Sequence, residues 1–351
     1  MNRENNTLII LTPGFPKDET DTVCLPFLQN FILELKMQFP FLHVVILAVD
    51  YPFTRAGYQW HNTQVYSFNG WRKGRLKKLY LWLNILRQMR RIKVRSHLIG
   101  VLSLWCGECA YLGSRFAKRN QIKHFCWIQG QDAKKENKYV ARVKPSPEEL
   151  VAISDFIQTE FEKNHGIRPK HVIPVGIRPE EYKVEHSIRD IDILGVGSLI
   201  PLKQYHVFIE VIHHVKKYFP DIHAVLCGKG QEENELKRKI QHLGLQENIK
   251  LTGELPHVEV LQIMRRSRVF LHTSIFEGIS VVCNEALYAG CQVISFVQPM
   301  RNAIEHWFIV QSPEEMIEKA RVILDNPETD YHAVISFSSA DSAKKMVGLF
   351  D

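Results

Sequence analysis

The chain predicts an α/β fold built on parallel sheets, and three observations carry that prediction. Short apolar runs of strand length alternate with helical patterns nearly throughout, as parallel strands with crossover helices require. Glycine-bearing turns follow the strand-like runs of the second half. At 351 residues the chain is too long for one ordinary core, which points to two domains.

Each element has its own signal. The apolar run at 7–12 is the first strand, and the runs at 43–48, 97–102, 123–128 and 149–153 are the next four. Helical periodicity covers 25–38, 77–92, 108–118 and 154–163, with Ser154 placed to cap the last. A further strand at 171–175 ends at Gly176. The polar segment 177–190 has little apolar periodicity and reads as a connection between domains. The second half restarts with a strand at 192–196 and a helix at 204–218. Strands at 224–227, 249–251, 269–271 and 292–296 then alternate with helices at 232–243, 257–265, 280–289 and 313–325. A terminal helix is expected over 338–350. The resulting division is a first domain over 1–177, a linker over 178–190, a second domain over 191–332, and a tail over 333–351 that can return to the first domain.

Apolar residues make up 45% and charged residues 24% of the chain, the proportions of a soluble globular protein. No run of 18 apolar residues exists, so no transmembrane helix is expected. Leu8 to Leu11 is too short a run for a secretory signal, and a cytoplasmic location is the expectation. The seven cysteines are odd in number and scattered, which suits reduced thiols; Cys227, Cys283 and Cys291 fall in apolar runs. Cys106-Gly107-Glu108-Cys109 is a lone CxxC without a second ligand pair, so it reads as a strand-to-helix turn and not as a metal site. Histidines such as His206, His213 and His214, on one predicted helix, read as surface or packing residues.

Charge is lopsided. Residues 1–150 hold 23 Lys and Arg against 11 Asp and Glu. Most of the excess lies from Trp71 to Arg95, where ten basic residues occur without an acid. Leu76, Leu79, Tyr80, Leu83, Leu86 and Met89 recur between them at helical spacing. Such a segment suits either an anionic membrane surface or a solvated helix face whose apolar stripe packs inward. No nucleic-acid recognition module accompanies the charge, so nucleic acid is not an expected partner.

The most informative stretch runs from Phe276 to Leu287. Glu277 and Glu285 stand eight positions apart across Gly278 and the start of the helix at 280–289. Unpaired amides around Gly278, Ile279, Ser280 and Val281 would carry the positive end of the helix dipole and could hold a phosphate or sugar oxygen. Glu285, further along the helix, could accept bonds from hydroxyls. Three other turns follow strands: Gly197-Ser198 through Lys203, Gly228-Lys229-Gly230, and Thr252-Gly253. In a parallel sheet all four lie at one carboxyl edge and could line one crevice, suited to a ligand with both phosphate and polyol parts such as a nucleotide sugar. Taken alone, Glu277 and Glu285 would be a loop acid and a helix-surface acid, and Lys203 a solvated first-turn residue; the surrounding turns make them a site.

In order and spacing these turns, with Thr273-Ser274 and Gly290 followed by Gln292-Val293-Ile294, resemble the retaining glycosyltransferases of family 4 over about residues 149–325. The resemblance implies the GT-B fold, an α/β architecture of two Rossmann-like, doubly wound parallel-sheet domains facing across a cleft. It implies Lys203 on the donor diphosphate, Glu285 on the ribose, Glu277 beside the transferred sugar, and the Gly278, Ile279 and Ser280 amides near sugar and phosphate oxygens. Gly197 and Ser198 would flank the donor, Gly228, Gly230 and Gly253 would lie near the base, and Gly14 would face the diphosphate from the first domain. Three positions depart from the family pattern. Ser198 stands where Arg is frequent, Gly14 is single where a Gly-Gly pair is common, and Gln129 of Gln129-Gly130-Gln131-Asp132 takes the place of a His that approaches the sugar. Gln129 can hydrogen-bond a hydroxyl but cannot act as a base, and Asp132 is a candidate substitute contact.

The expected reaction moves a sugar, with retention, from a UDP- or GDP-sugar to an acceptor hydroxyl on a glycan or lipid-linked sugar in envelope polysaccharide or glycolipid synthesis. Fixed cations and helix amides would stabilise the departing phosphate, with Glu277, Lys203 and Gln129 nearest the chemistry. No cofactor and no obligatory metal are expected, in keeping with the lack of an Asp-x-Asp turn. The enzyme would be cytoplasmic, peripheral at the inner membrane face if Trp71 to Arg95 docks there. A nucleotide-sugar epimerase of the same fold and a catalytically silent nucleotide-sugar binder are the alternatives.

Overall fold

A computed structural model describes residues 6–71, 74–181 and 188–351. The chain divides into two compact units, one formed by residues 1–176 with 338–351 and the other by 177–337.

The first unit carries an eight-stranded sheet. Its strands are β1 (Asn6–Gly14), β2 (His43–Tyr51), β3 (Arg55–Trp60), β4 (Thr63–Phe68), β5 (His97–Leu104), β6 (Lys123–Ile128), β7 (Leu150–Ala152) and β8 (His171–Val172). They lie in the order β3-β4-β2-β1-β5-β6-β7-β8, all parallel except the β3–β4 hairpin. The helices are α1 (Pro26–Gln38), α2 (Arg75–Arg95), α3 (Glu108–Asn120), α4 (Lys138–Val143) and α5 (Asp155–His165). Ser154 caps α5 by accepting the Ile157 N–H at 3.1 Å. Alternate residues of the central strands, Ile9, Leu11, Leu47 and Val101, meet Leu81, Ile85 and Met89 of α2 and Leu112 and Phe116 of α3.

The second unit has a six-stranded sheet of β9 (Ile191–Val196), β10 (Ala224–Cys227), β11 (Ile249–Gly253), β12 (Ser267–His272), β13 (Gln292–Ser295) and β14 (Trp307–Ile309). Every pairing is parallel, in the order β11-β10-β9-β12-β13-β14. This is the doubly wound order, with its reversal between β9 and β12. The crossing helices are α6 (Tyr205–Val215), α7 (Glu233–His242), α8 (His257–Arg265), α9 (Val281–Tyr288) and α10 (Pro313–Asp325). The pleat sorts the strands between two cores. Ile193, Leu226 and Leu271 face Phe208, Ile240 and Met316, whereas Leu194, Val225 and Phe270 face Leu261, Met264 and Leu287.

The last helix, α11 (Ser339–Gly348), belongs to the first unit, so residues 333–337 of the expected tail stay with the second. The unit boundary falls after Gly176, so Ile177, expected to close the first domain, and residues 178–181 and 188–190 of the expected linker belong to the second unit; 182–187 lie outside the described residues. Strands β3, β4 and β14 and helix α4 are additions to the sequence expectation.

One further expectation needs correction. On α2 the buried stripe is Leu81, Ile85, Met89 and Ile92, while Leu76, Leu79, Tyr80 and Leu83 are exposed, Leu76 by 86%. The helix therefore has an inner apolar face and a second, outward one. Arg72 and Lys73 of the basic segment lie outside the described residues. No described helix is long and apolar enough to cross a membrane. The CxxC cysteines are free and buried, Cys106 in the turn between β5 and α3 and Cys109 in the first turn of α3, at the strand-to-helix junction the sequence indicated.

Candidate functional site

The four predicted turns follow β9, β10, β11 and β12, which are neighbours in the second sheet and run in one direction. All four therefore sit at the same carboxyl edge, around the reversal of strand order. Backbone hydrogen bonds lace three of them together. Gly197 N–H donates to Cys227 O at 3.0 Å, Leu199 N–H to Lys229 O at 3.0 Å, and Gly228 N–H to Gly253 O at 2.8 Å. Glycine is demanded here by space as well as by torsion. Gly228 has φ +146°, and a Cβ on it would come within 1.8 Å of Gly197 O; one on Gly230 would come within 2.2 Å of Leu199 O.

Lys203 follows β9 and Glu277 follows β12, the two strands that flank the reversal. Lys203 Nζ donates to Glu277 Oε2. The Thr273 hydroxyl fixes the other side of this contact by donating to Lys203 O at 2.5 Å. His272, the last residue of β12, is buried with its Nε2 3.6 Å from Glu277 Oε2, an electrostatic neighbour beyond hydrogen-bond range. Burial would raise the Glu277 pKa, but the His272 ring and the Lys203 charge outweigh it and hold it at about 2. Burial lowers the His272 pKa against the pull of Glu277. Glu277 is thus a fixed anion at neutral pH, paired with a cation at the sheet's switch point.

Glu285 lies one turn into α9 and is buried. The first residue of α8, His257, donates from Nε2 to Glu285 Oε1 at 2.9 Å, which orients the carboxylate. Ser280 is the N-cap of α9 without a side-chain capping bond; the Cys283 and Asn284 amides donate to Ser280 O at 3.0 and 3.2 Å, and the Val281 and Val282 amides precede any intrahelical acceptor at the positive end of the helix. Gly278, Ile279 and Ser280 form the approach to that end. Ser198 lies inside the laced turn, next to Gly197.

The structure thus gathers Gly197, Ser198, Lys203, Gly228, Gly230, Gly253, Glu277 to Ser280 and Glu285 at one sheet edge of the second unit. Gly14 and Gln129 belong to the first unit, at the carboxyl ends of β1 and β6. Gln129 Nε2 donates to Trp127 O at 3.4 Å. Asp132, the candidate substitute contact, is engaged by the backbone of its own unit. Its buried carboxylate accepts the amides of Gln129, Gly130 and Cys106 at 3.1, 2.8 and 2.7 Å and serves to hold the turn. His257 and His272 do not stand out in the sequence, and Thr273 does so only as part of the Thr273-Ser274 pair. Their signal is positional: each stands at a strand end or helix start next to one of the four turns.

Residues 179–335 match the family model described as Glycosyl transferases group 1. Over 227 residues the chain is 26% identical to the phosphatidylinositol N-acetylglucosaminyltransferase protein of Arabidopsis thaliana. The match covers 62% of this chain and 47% of the relative, so the chain spans about half of that protein. Anabaena HepE, solved with UDP and glucose, superposes with a TM-score of 0.65 at 17% identity, covering 99% of this chain and 96% of HepE. Sucrose-phosphate synthase from Thermosynechococcus elongatus gives a TM-score of 0.66 at 13% identity, covering 99% and 95%. The shared architecture is the GT-B fold.

Proposed function

We infer, from a GT-B chain whose residues 179–335 belong to the glycosyl transferases group 1 family, that the protein transfers a sugar from a nucleoside-diphosphate sugar to an acceptor hydroxyl. The observation that carries this reading is the Lys203–Glu277 pair at the strand-order reversal, with Glu285 oriented by His257 on the adjoining helix. In this reading Lys203 exchanges its bond to Glu277 for the donor diphosphate, whose larger negative charge outcompetes one carboxylate. The α9 amides take up charge building on the departing phosphate. Glu285 accepts ribose hydroxyls, and Glu277, always ionised, accepts hydroxyls of the sugar. A carboxylate held at about pKa 2 cannot serve as the proton donor. Same-face attack, with the leaving phosphate taking the acceptor proton, is the course that fits, and it retains the anomeric configuration without needing a metal.

UDP is the first donor base to try, since HepE was solved with UDP and glucose. For the acceptor, we favour a hydroxyl on a lipid-linked sugar or glycolipid at an anionic membrane face. The support is the outward stripe of Leu76, Leu79, Tyr80 and Leu83 within a basic helix, and a relative whose name joins phosphatidylinositol to N-acetylglucosaminyl transfer. The envelope role and a cytoplasmic position follow from that preference.

The test is thermal shift and donor turnover with UDP- and GDP-sugars, on the wild type and Lys203→Ala. Stabilisation by one nucleotide family and release of its diphosphate, both lost in the variant, is the expected result. Binding without turnover under any acceptor would favour the silent binder, epimerised donor would favour the epimerase, and no nucleotide binding at all would overturn the reading.

A further inference from the structure

A second cluster of ligating side chains lies at the opposite edge of the second sheet. His306 immediately precedes β14, and its carbonyl accepts the amide of Val293, near the start of β13, at 2.8 Å. Gln292, the first residue of β13, donates its side-chain amide to Asp330 O at 2.5 Å. These contacts place Glu305, His306 and the 330–332 segment at the amino edge, away from the four turns. Glu305, His306 and His332 each bring one ligating atom to within 4.8 Å of the others. The imidazole rings stand 4.4 Å apart, and His332 Nε2 is 3.4 Å from Glu305 Oε1.

The surroundings are built to hold these groups. His332 Nδ1 lies 2.8 Å from Asp330 Oδ2, the carboxylate–histidine arrangement that fixes a ring with its other nitrogen outward. Arg189 donates to Tyr331 O and stacks on the Tyr331 ring at 4.7 Å, and Arg268 Nε donates to the Tyr331 hydroxyl at 3.0 Å. His306 adopts φ +59°, a left-handed conformation uncommon for a non-glycine residue. Its Nδ1 is buried with no hydrogen-bond partner.

We propose that Glu305, His306 and His332 form a zinc site, with Asp330 as the positioning carboxylate behind His332 and water as the fourth ligand. Two imidazoles and a carboxylate are a borderline-soft donor set that suits zinc. Tetrahedral zinc with bonds of about 2.0–2.2 Å puts its ligands about 3.3–3.5 Å apart, which small side-chain rotations from the present spacing reach. The ion takes no part in sugar transfer. It fastens the segment following α10 to the turn before the edge strand β14, and so braces the amino edge of the sheet.

The test is a calorimetric titration of the metal-free full chain with zinc chloride, repeated on His306→Ala, His332→Ala, Glu305→Gln and Asp330→Asn. One zinc per chain is expected, with affinity at least about tenfold weaker in each ligand variant, and with stoichiometry kept but affinity about 10–100-fold weaker in Asp330→Asn. Glu305→Gln, on an exposed side chain, keeps the test valid if a histidine variant misfolds. The wild type with cobalt(II) should show visible bands without thiolate-to-metal charge transfer. Zinc that does not saturate, binding unchanged in all ligand variants, or a thiolate band assigning the metal to the cysteines would each overturn the site.

Discussion

At the scale of single residues, the site turns on Glu277, whose identity as an acid was legible in the sequence and whose ion pair was not. Nothing in the chain order announces that residues 74 positions apart meet; parallel strands flanking a switch point bring them together. Glu277→Gln removes the anion that competes for Lys203 and keeps the shape. Nucleoside diphosphate should bind at least as well as to the wild type, whereas transfer should fall about 100-fold if Glu277 supports the sugar only as the reaction proceeds. Isothermal titration and initial rates separate the two effects, and parallel losses in both would show that Glu277 merely shapes the turn. A second residue was invisible to pattern reading. His124 is buried, with Nε2 3.0 Å from the Ser103 hydroxyl and Nδ1 unpartnered, so no group receives a second ring proton. Burial, and after it the Lys118 charge, pushes its pKa down to about 3. The unfolded ring binds a proton below about 6.5, which the folded ring refuses until about 3, so this contribution is full above the window and shrinks as pH falls through it. Lowering pH from 7 to 5 should cost the first unit about 2 kcal/mol. Urea unfolding at both pH values should show a shallower pH dependence in His124→Gln, and equal slopes would refute the assignment.

At the scale of elements, the strands and helices that alternate cleanly were legible, and those that escaped did so for physical reasons. Strand β3 is mostly exposed, so Arg55–Trp60 never needed the apolar alternation that marks a half-buried strand. Strand β14 has three residues, too few to show a period. Helix α2 carries apolar residues on two faces, and periodicity alone could not say which one packs inward. Its outward stripe is flanked by arginines and lysines and would lie in a bilayer interface with those charges toward the headgroups. Leu79→Glu with Leu83→Glu should leave stability nearly unchanged, because both side chains are solvated, and should abolish sedimentation with anionic vesicles. Equal wild-type binding to neutral and anionic vesicles would discard the docking. The laced turns make a sharper prediction. Gly228→Ala forces a Cβ against the Gly197 carbonyl at a φ that side chains rarely adopt, which should cost about 1–3 kcal/mol and lose nucleotide binding together with it. A variant with wild-type stability and affinity would mean that the three turns are not coupled.

At the scale of the whole molecule, the alternation of elements foretold two parallel sheets, but the strand order came only from tertiary pairing, and the home of the tail was open in the sequence. The tail's own apolar spacing now explains where it goes. Ala343, Met346, Val347 and Phe350 are all buried in the first unit, and Phe350 meets Phe125 edge-on at 5.0 Å. Two glycines mark its path. A Cβ on Gly100 would come within 2.3 Å of the Phe350 ring, and one on Gly176 within 2.1 Å of the Ser338 backbone. Ser342 Oγ donates to Pro174 O at 2.6 Å and Ser339 Oγ to Gly176 O at 2.8 Å, so the chain's end is bonded to the close of the first unit's own sequence. The first unit therefore cannot complete its core until the second has been synthesised, although the second, with its continuous stretch 177–337, can. Phe350→Ala should destabilise the first unit by about 3 kcal/mol through the cavity it leaves. Removing 338–351 should go further and strip hydrogen-exchange protection from α1 and β5, with β9 to β14 left as protected as in the full chain. Loss of protection spread evenly over both sheets would mean that the units fold as one, and that the tail is a clamp on the whole protein instead of the last piece of its first half.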